Sequence, residues 1–393
     1  MDVHNKGTGK EDRQYSMILK ELAIKCVISV LDIVYSCFKR AAVRNQIVFI
    51  SRESDEKTID FQVLEKEFRE HLPETNLVFL CKKIPDSFPG RIGYGFHILK
   101  QMRVIAVSRA VILDTYCVGV CALHQRADLV VIQIWHAMGA LKKFGWSIAG
   151  QKEGSDPRIA ELLGMHRNYT YYTVSSAACI PAVNDAFGYR KDGPNDDSRN
   201  HAIIAPLPRM KRYCDADYIS DARRRVYERY PEWRNDKIVL YAPTFRKGVD
   251  ISDDIRKMEA LLPEYRLVVS KHPLMEVSRD ILAVNQEFST FELMCVADCI
   301  ILDFSAVVFE AVFLDKPLIF YPFDYDTYVK NRGFYLDYMA EMPGPVVRNA
   351  EKLAEAVRDA VYDEEKIKAF REKWVDMPET GIRIISSVLL ERI

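Results

Sequence analysis

Short apolar runs alternating with longer amphipathic stretches constrain this chain more than any other feature. Runs at 46–50, 77–80, 111–113, 129–135 and 171–174 read as buried strands, with amphipathic segments such as 59–71 between them. Strands buried on both faces and separated by helices point to a parallel sheet covered by helices on both sides. Residues 184–200 then turn rich in Gly, Asp, Asn and Ser and lead into Pro206-Leu207-Pro208-Arg209, a break in composition followed by a stiff connection. The alternation restarts with strands at 238–241, 267–270, 299–302 and 317–321 and helices from 253 and over 305–314. The expected fold is α/β: two Rossmann-like domains with parallel sheets facing a central cleft. Their limits are 45–205 and 206–393, behind a polar start and amphipathic helix over 1–44.

That first helix is read from apolar side chains at Ile18, Leu22, Cys26, Val27, Val30, Leu31, Val34, Tyr35 and Phe38, a 3.6-residue period forming one broad stripe. Lys20, Lys25, Lys39, Arg40 and Arg44 surround it with positive charge. Such a helix can lie in a membrane interface beside anionic head groups, or pack on the protein's own core. Residues 1–14 are polar, which does not fit a secretory signal, and no apolar stretch reaches spanning length. The chain is therefore read as intracellular.

Charge excludes one class of partner. With 55 Lys and Arg against 56 Asp and Glu the net charge is −1, so the cationic excess that general nucleic-acid binding uses is missing. Nine cysteines, an odd number with no small-scaffold spacing, read as reduced thiols. Cys117/Cys121 and Cys295/Cys299 are spaced i, i+4, but no neighbouring ligands complete a zinc set.

Ligands of open parallel sheets bind beyond the carboxyl ends of strands, and four such places carry polar groups. His136 ends an apolar strand and opens a loop with Gly139, Lys142 and Lys143; position allows a general base or a capped structural histidine. Thr244 offers a hydroxyl and Arg246 a planar fork of donors suited to phosphate oxygens, or a solvated loop arginine. His272 follows a strand and precedes Pro273, as a site group or a turn. Asp303 ends a strand and Ser305 opens a helix, where free N–H groups can hold an anion, or where the two are only a turn former and an N-cap. There is no Walker sequence, no G-x-G-x-x-G after a strand, no H-E-x-x-H, no G-x-S-x-G and no paired-aspartate metal motif, so neither a cofactor nor a metal is expected.

These motifs, in this order, resemble the CDP-glycerol glycerophosphotransferases of teichoic acid synthesis. Trp135-His136-Ala137 with Leu141-Lys142-Lys143-Phe144-Gly145 resembles the family's Trp-His-Gly loop, and Tyr241 to Arg246 matches its Tyr-Ala-Pro-Thr-x-Arg motif. His272-Pro273, Asp303-Phe304-Ser305-Ala306 and Arg332-Gly333-Phe334-Tyr335 match three further motifs. Ala137, Met138-Gly139-Ala140, Phe304 and Ala306 depart from the family pattern. The resemblance spans roughly 46–347. It implies a GT-B fold, a CDP-alditol donor, a polyprenyl-diphosphate-linked saccharide acceptor and a place on the cytoplasmic side of the cell membrane. It further implies that His136 is the catalytic base and that His272 engages the donor's phosphates.

The expected reaction is alditol-phosphate transfer from CDP-glycerol to a hydroxyl of a lipid-linked teichoic acid precursor, releasing CMP. His136 and His272 are catalytic in this reading, and Thr244, Arg246, Asp303, Ser305, Ala306 and Glu310 hold the donor, Glu310 reaching the cytidine ribose. A CDP-ribitol donor, a nucleotide-sugar glycosyltransferase of the same architecture and a non-enzymatic membrane scaffold are the competing expectations, and homo-oligomerisation stays open.

Overall fold

In a computed structural model the chain is described over residues 8–195, 201–246, 249–271, 275, 278, 281, 283–284, 287–377 and 381–392. Among these, two wholly parallel sheets carry the fold. The first runs in the order β2-β1-β3-β4-β5-β6, from β1 (Gln46–Ser51), β2 (Asn76–Cys81), β3 (Ala110–Leu113), β4 (Val130–Gln133), β5 (Tyr171–Val174) and β6 (Ala202–Ile204). The second runs β11-β10-β7-β8-β9, from β7 (Ile238–Ala242), β8 (Arg266–Ser270), β9 (Ala283–Val284), β10 (Cys299–Leu302) and β11 (Leu318–Phe320). The short β6 and β9 were not anticipated; strands of three and two residues carry too little pattern to be read.

The inner strands are buried because helices cover them, while the edge strand β2 is mostly half-exposed. Helix Ile59–His71 shows why: Thr58 caps it through its side chain, and Phe61, Leu64 and Phe68 form its buried face. Phe49 of β1 meets Phe61 edge-on at 5.2 Å, Phe68 at 5.7 Å and the stacked Phe79 of β2 at 4.7 Å. Emptying that position by Phe49→Ala would cost about 3–5 kcal/mol.

The first helix is Thr8–Phe38, and its apolar residues do not form one stripe. Ile28, Leu31, Val34, Tyr35 and Phe38 pack on the core, and Tyr35 is fully buried. Leu19, Leu22, Val30 and Ile33, between 52% and 67% exposed, lie on the opposite side. At 100° per residue these sets fall roughly half a turn apart, so the helix is apolar on two faces. Beside it, helix Phe88–Val107 also exposes Phe88, Ile92 and Phe96. No helix among the described residues is long and apolar enough to cross a membrane.

The division at 206 is not the end of the first half's structure. Past helix Glu364–Trp374 the chain returns to it: Ser175 Oγ donates to the Trp374 carbonyl at 2.8 Å, and Asp376 N–H donates to the Ser175 carbonyl at 2.6 Å. Helix Gly381–Arg392 then buries Ile385 and Leu389 against Phe61, Leu64 and Phe68 on the outer face of the first sheet.

Candidate functional site

In each sheet the strand order reverses at one point, where the loops after two adjacent strands diverge and leave a crevice. In the first sheet this lies between β1 and β3, in the second between β7 and β10. His136, Thr244, Arg246, Asp303 and Ser305, singled out from the sequence, stand at or beside these points.

His136 is delivered by a strained turn. Trp135 has φ of 59°, unusual for so bulky a residue, and its N–H donates to Gln133 Oε1 at 2.9 Å. Gln133, fully buried, is itself fixed by donating to the Thr115 carbonyl at 2.9 Å and to Tyr169 Oη at 3.1 Å. Trp135 stacks on Phe144 at 5.0 Å and contacts the His136 ring at 4.4 Å. His136 Nδ1 lies 3.1 Å from the Asp114 carbonyl. A carbonyl only accepts, so Nδ1 carries the proton and Nε2 presents its lone pair. His136 is exposed, yet the protein mass around it lowers its pKa below 6.5 by desolvation, against the opposing pull of the Asp114 carbonyl and of Glu53.

Asp114, at the reversal itself, is not among the residues singled out from the sequence. Its side chain is buried, and Oδ1 has no hydrogen-bond partner among the described residues. Burial raises its pKa to about 7, against hydrogen bonds from Ser51 and Thr115. The strand-end rule that singles out His136 would have found it too.

At the second reversal the charged groups are already matched. Arg246 grips Asp324 with Nε at 2.7 Å and Nη2 at 2.9 Å, while Nη1 donates to Asp303 and to the Thr244 carbonyl, each at 2.8 Å. The fork that the sequence assigns to phosphate oxygens is thus largely engaged with carboxylates. Phe304 and Phe323 flank the guanidinium at 5.1 and 4.9 Å. Burial opposes the charge on Arg246, but Asp303 and Asp324 outweigh it and raise its pKa. Asp303, fully buried, also accepts the Thr244 N–H at 2.9 Å, and its own carbonyl accepts from Tyr338 Oη at 2.6 Å. Thr244 Oγ1 is left buried with no partner among the described residues.

The helix expected over 305–314 is a single turn, Val308–Ala311, bounded by tighter i to i+3 bonds such as Phe309 N–H to the Ala306 carbonyl at 3.1 Å. Successive β-branched Val307 and Val308 and the stop at Lys316-Pro317 disfavour a longer one. Ser305 Oγ accepts from Val307 N–H at 3.3 Å, a local turn in place of an N-cap on a long helix, so little helix dipole is aimed outward here. Glu310, expected at a ribose, instead accepts from Arg209 Nη2 at 3.1 Å. His272 lies outside the described residues.

The two halves meet at this site. Leu141 and Lys143 exchange backbone hydrogen bonds with Tyr335 and Gly333 at 3.0 and 3.1 Å, and Arg332 Nε donates to the Lys143 carbonyl at 2.9 Å. Ser147 and Tyr335 share a hydroxyl hydrogen bond. Gly139, at φ of 63°, faces the Phe309 ring so closely that a Cβ would sit 2.2 Å from it. Lys142 lies among Arg332, Asp303, Arg246 and Glu153, and burial, with Arg332 adding to it, lowers its pKa to about 8.

Residues 33–381 match the family described as CDP-glycerol:poly(glycerophosphate) glycerophosphotransferase. The chain is 27% identical over 346 residues to the teichoic acid ribitol-phosphate primase of Bacillus spizizenii, covering 84% of this chain and 87% of that one. It is also 27% identical over 346 residues to the teichoic acid glycerol-phosphate primase of Bacillus subtilis, covering 83% and 86%. Among solved structures, the wall teichoic acid polymerase TagF soaked with CDPG superimposes with a TM-score of 0.67 at 16% identity, over 96% of this chain and 97% of that one, a likeness of fold.

Proposed function

We propose a reaction from the premise that this chain belongs to the CDP-glycerol:poly(glycerophosphate) glycerophosphotransferase family. It transfers an alditol phosphate from a CDP-alditol, glycerol in the first instance, to a hydroxyl of a lipid-linked teichoic acid precursor. The two sheet reversals face one cleft, with the acceptor at the first and the donor at the second. His136 Nε2 takes the proton of the acceptor hydroxyl, whose oxygen attacks the β-phosphorus. The new P–O bond forms as the bond from the β-phosphorus to the bridging oxygen breaks, and CMP leaves. His272 and Lys142 stabilise the diphosphate charge without a metal, while Thr244, Asp303, Ser305 and Ala306 shape the donor pocket and Arg246 braces it.

The observation that carries this reading is the His136 hydrogen bond to the Asp114 carbonyl at 3.1 Å, because it fixes the tautomer that leaves Nε2 an unprotonated base. The exposed face of helix Thr8–Phe38, with Phe88, Ile92 and Phe96, supports peripheral attachment to a membrane surface, where a lipid-linked acceptor resides. The similarity to a ribitol-phosphate primase keeps CDP-ribitol as a second donor to test. CMP release measured side by side with CDP-glycerol and CDP-ribitol, on a lipid-linked disaccharide and on its glycerol-phosphate-primed form, tests the reading. Release with one donor supports it and identifies the alditol; no CMP with any combination overturns it.

A further inference from the structure

Arg209 lies just past the proline-stiffened connection between the two halves, and its side chain contacts three other segments. Its backbone N–H and Nη1 donate to Asp60 Oδ1 and Oδ2 at 2.8 and 2.6 Å, fixing it to the start of helix Ile59–His71. Nη2 donates to the carbonyl of His136 at 3.0 Å and to Glu310 Oε1 at 3.1 Å, so one nitrogen joins the residue read as base to the turn after β10. These partners lie 149, 73 and 101 positions away in the chain.

The arrangement is protected and charged. The side chains of Arg209, Asp60 and Glu310 are 16%, 5% and 13% exposed. Burial works against the guanidinium's charge, but Asp60 and Glu310 more than offset it, and its pKa is raised. Glu310, sharing that one cation with Asp60, has its carboxyl pushed up by burial. A planar fork is needed here: a lysine, being a point charge, cannot satisfy a carboxylate on one side and a carbonyl with a second carboxylate on the other.

Resting on the reaction read above, we propose that Arg209 is a positioning residue that clamps the His136 loop to the Glu310 turn and thereby sets the distance between the base and the donor. It touches no reacting atom in this role. Its effect is on alignment, where a displacement near 1 Å can cost about 10²-fold in rate. Gly139 packed on the Phe309 ring agrees with this, because the same loop and the same turn are pressed together one residue from Glu310.

The test is steady-state CMP release by the full chain, with wild type, Arg209→Met, Arg209→Lys and Glu310→Ala compared. Arg209→Met is expected to lower kcat about 10²-fold and to leave KM for the CDP-alditol within about threefold, with Arg209→Lys recovering only part. Glu310→Ala, which keeps Arg209 on Asp60, is expected to lower kcat about tenfold and to raise hydrogen exchange in residues 137–143. A folded Arg209→Met with kcat within about threefold of wild type overturns the clamp. If that variant does not fold, Glu310→Ala with wild-type kcat and unchanged exchange overturns it instead. A wild type that releases no CMP, or a His136→Ala variant that matches it, defeats the reaction itself; the exchange of 137–143 in Glu310→Ala then still decides whether the clamp exists.

Discussion

The two strand-order reversals differ in how their charges are balanced. At the first, His136 has an open Nε2, and Asp114 keeps a buried oxygen without a partner among the described residues. At the second, Arg246 spends four N–H contacts on Asp303, Asp324 and the Thr244 carbonyl before any ligand arrives. A group that must move a proton has to be left incompletely satisfied, whereas a pocket that must keep its shape around a highly charged guest is served by internal pairing. In the proposed reaction the first reversal is the reactive end and the second the rigid one.

The largest effect belongs to the reactive end. His136→Ala is expected to lower CMP release about 10³-fold or more while CDP-alditol affinity changes less than about threefold, read by turnover and calorimetry. Because desolvation holds His136 below 6.5, the acid limb of kcat/KM in the wild type is expected to fall below that pH; a limb above it would remove the assignment. At the rigid end, Arg246→Met strands the buried Asp303 and is expected to cost about 3–5 kcal/mol in urea denaturation. A cost under about 1 kcal/mol would mean that the pairing does not hold the pocket.

A smaller effect separates the two ends by pH. The folded state keeps the Asp114 proton up to about pH 7, whereas the unfolded chain releases it near 3.8. The unfolded state therefore binds fewer protons in that window, and stability declines as pH rises from about 4 to about 7. Asp114→Asn is expected to flatten this decline and to be the more stable protein at pH 8 by about 1–2 kcal/mol, read by thermal melts across pH. Smallest is Thr244→Val. Its hydroxyl has no partner among the described residues to lose, so stability is expected to hold while KM for the donor rises about three- to tenfold; an unchanged KM would mean that no ligand uses the hydroxyl.

Much of this was legible because it is local. Continuous apolar runs announce strands buried on both faces, and the strands at 171–174 and 299–302 and the helix at 59–71 have the bounds read for them. The strand-end rule reached His136, Thr244 and Asp303 for the same reason. What escaped depends on distant partners. The Ile18 to Phe38 pattern is satisfied by one broad stripe as well as by two opposite ones, and only the neighbours of Tyr35 and the exposure of Val30 decide between them. Arg246 reads as a phosphate fork until Asp324, 78 residues on, is brought to it. Arg209 carries no local signal at all, since each of its side-chain partners comes from a different segment.

The helix Gly381–Arg392, seated on Phe61, Leu64 and Phe68, also governs the order in which the molecule can be assembled. The first sheet is complete in sequence once residue 204 has been synthesised, yet the cluster that helix Ile59–His71 forms on its outer face is not closed until Ile385 and Leu389 arrive some 180 residues later. At translation speeds of about 5–20 residues per second that interval is on the order of ten to forty seconds. Throughout it part of that apolar cluster faces water, and completion of the second half is the event that closes it.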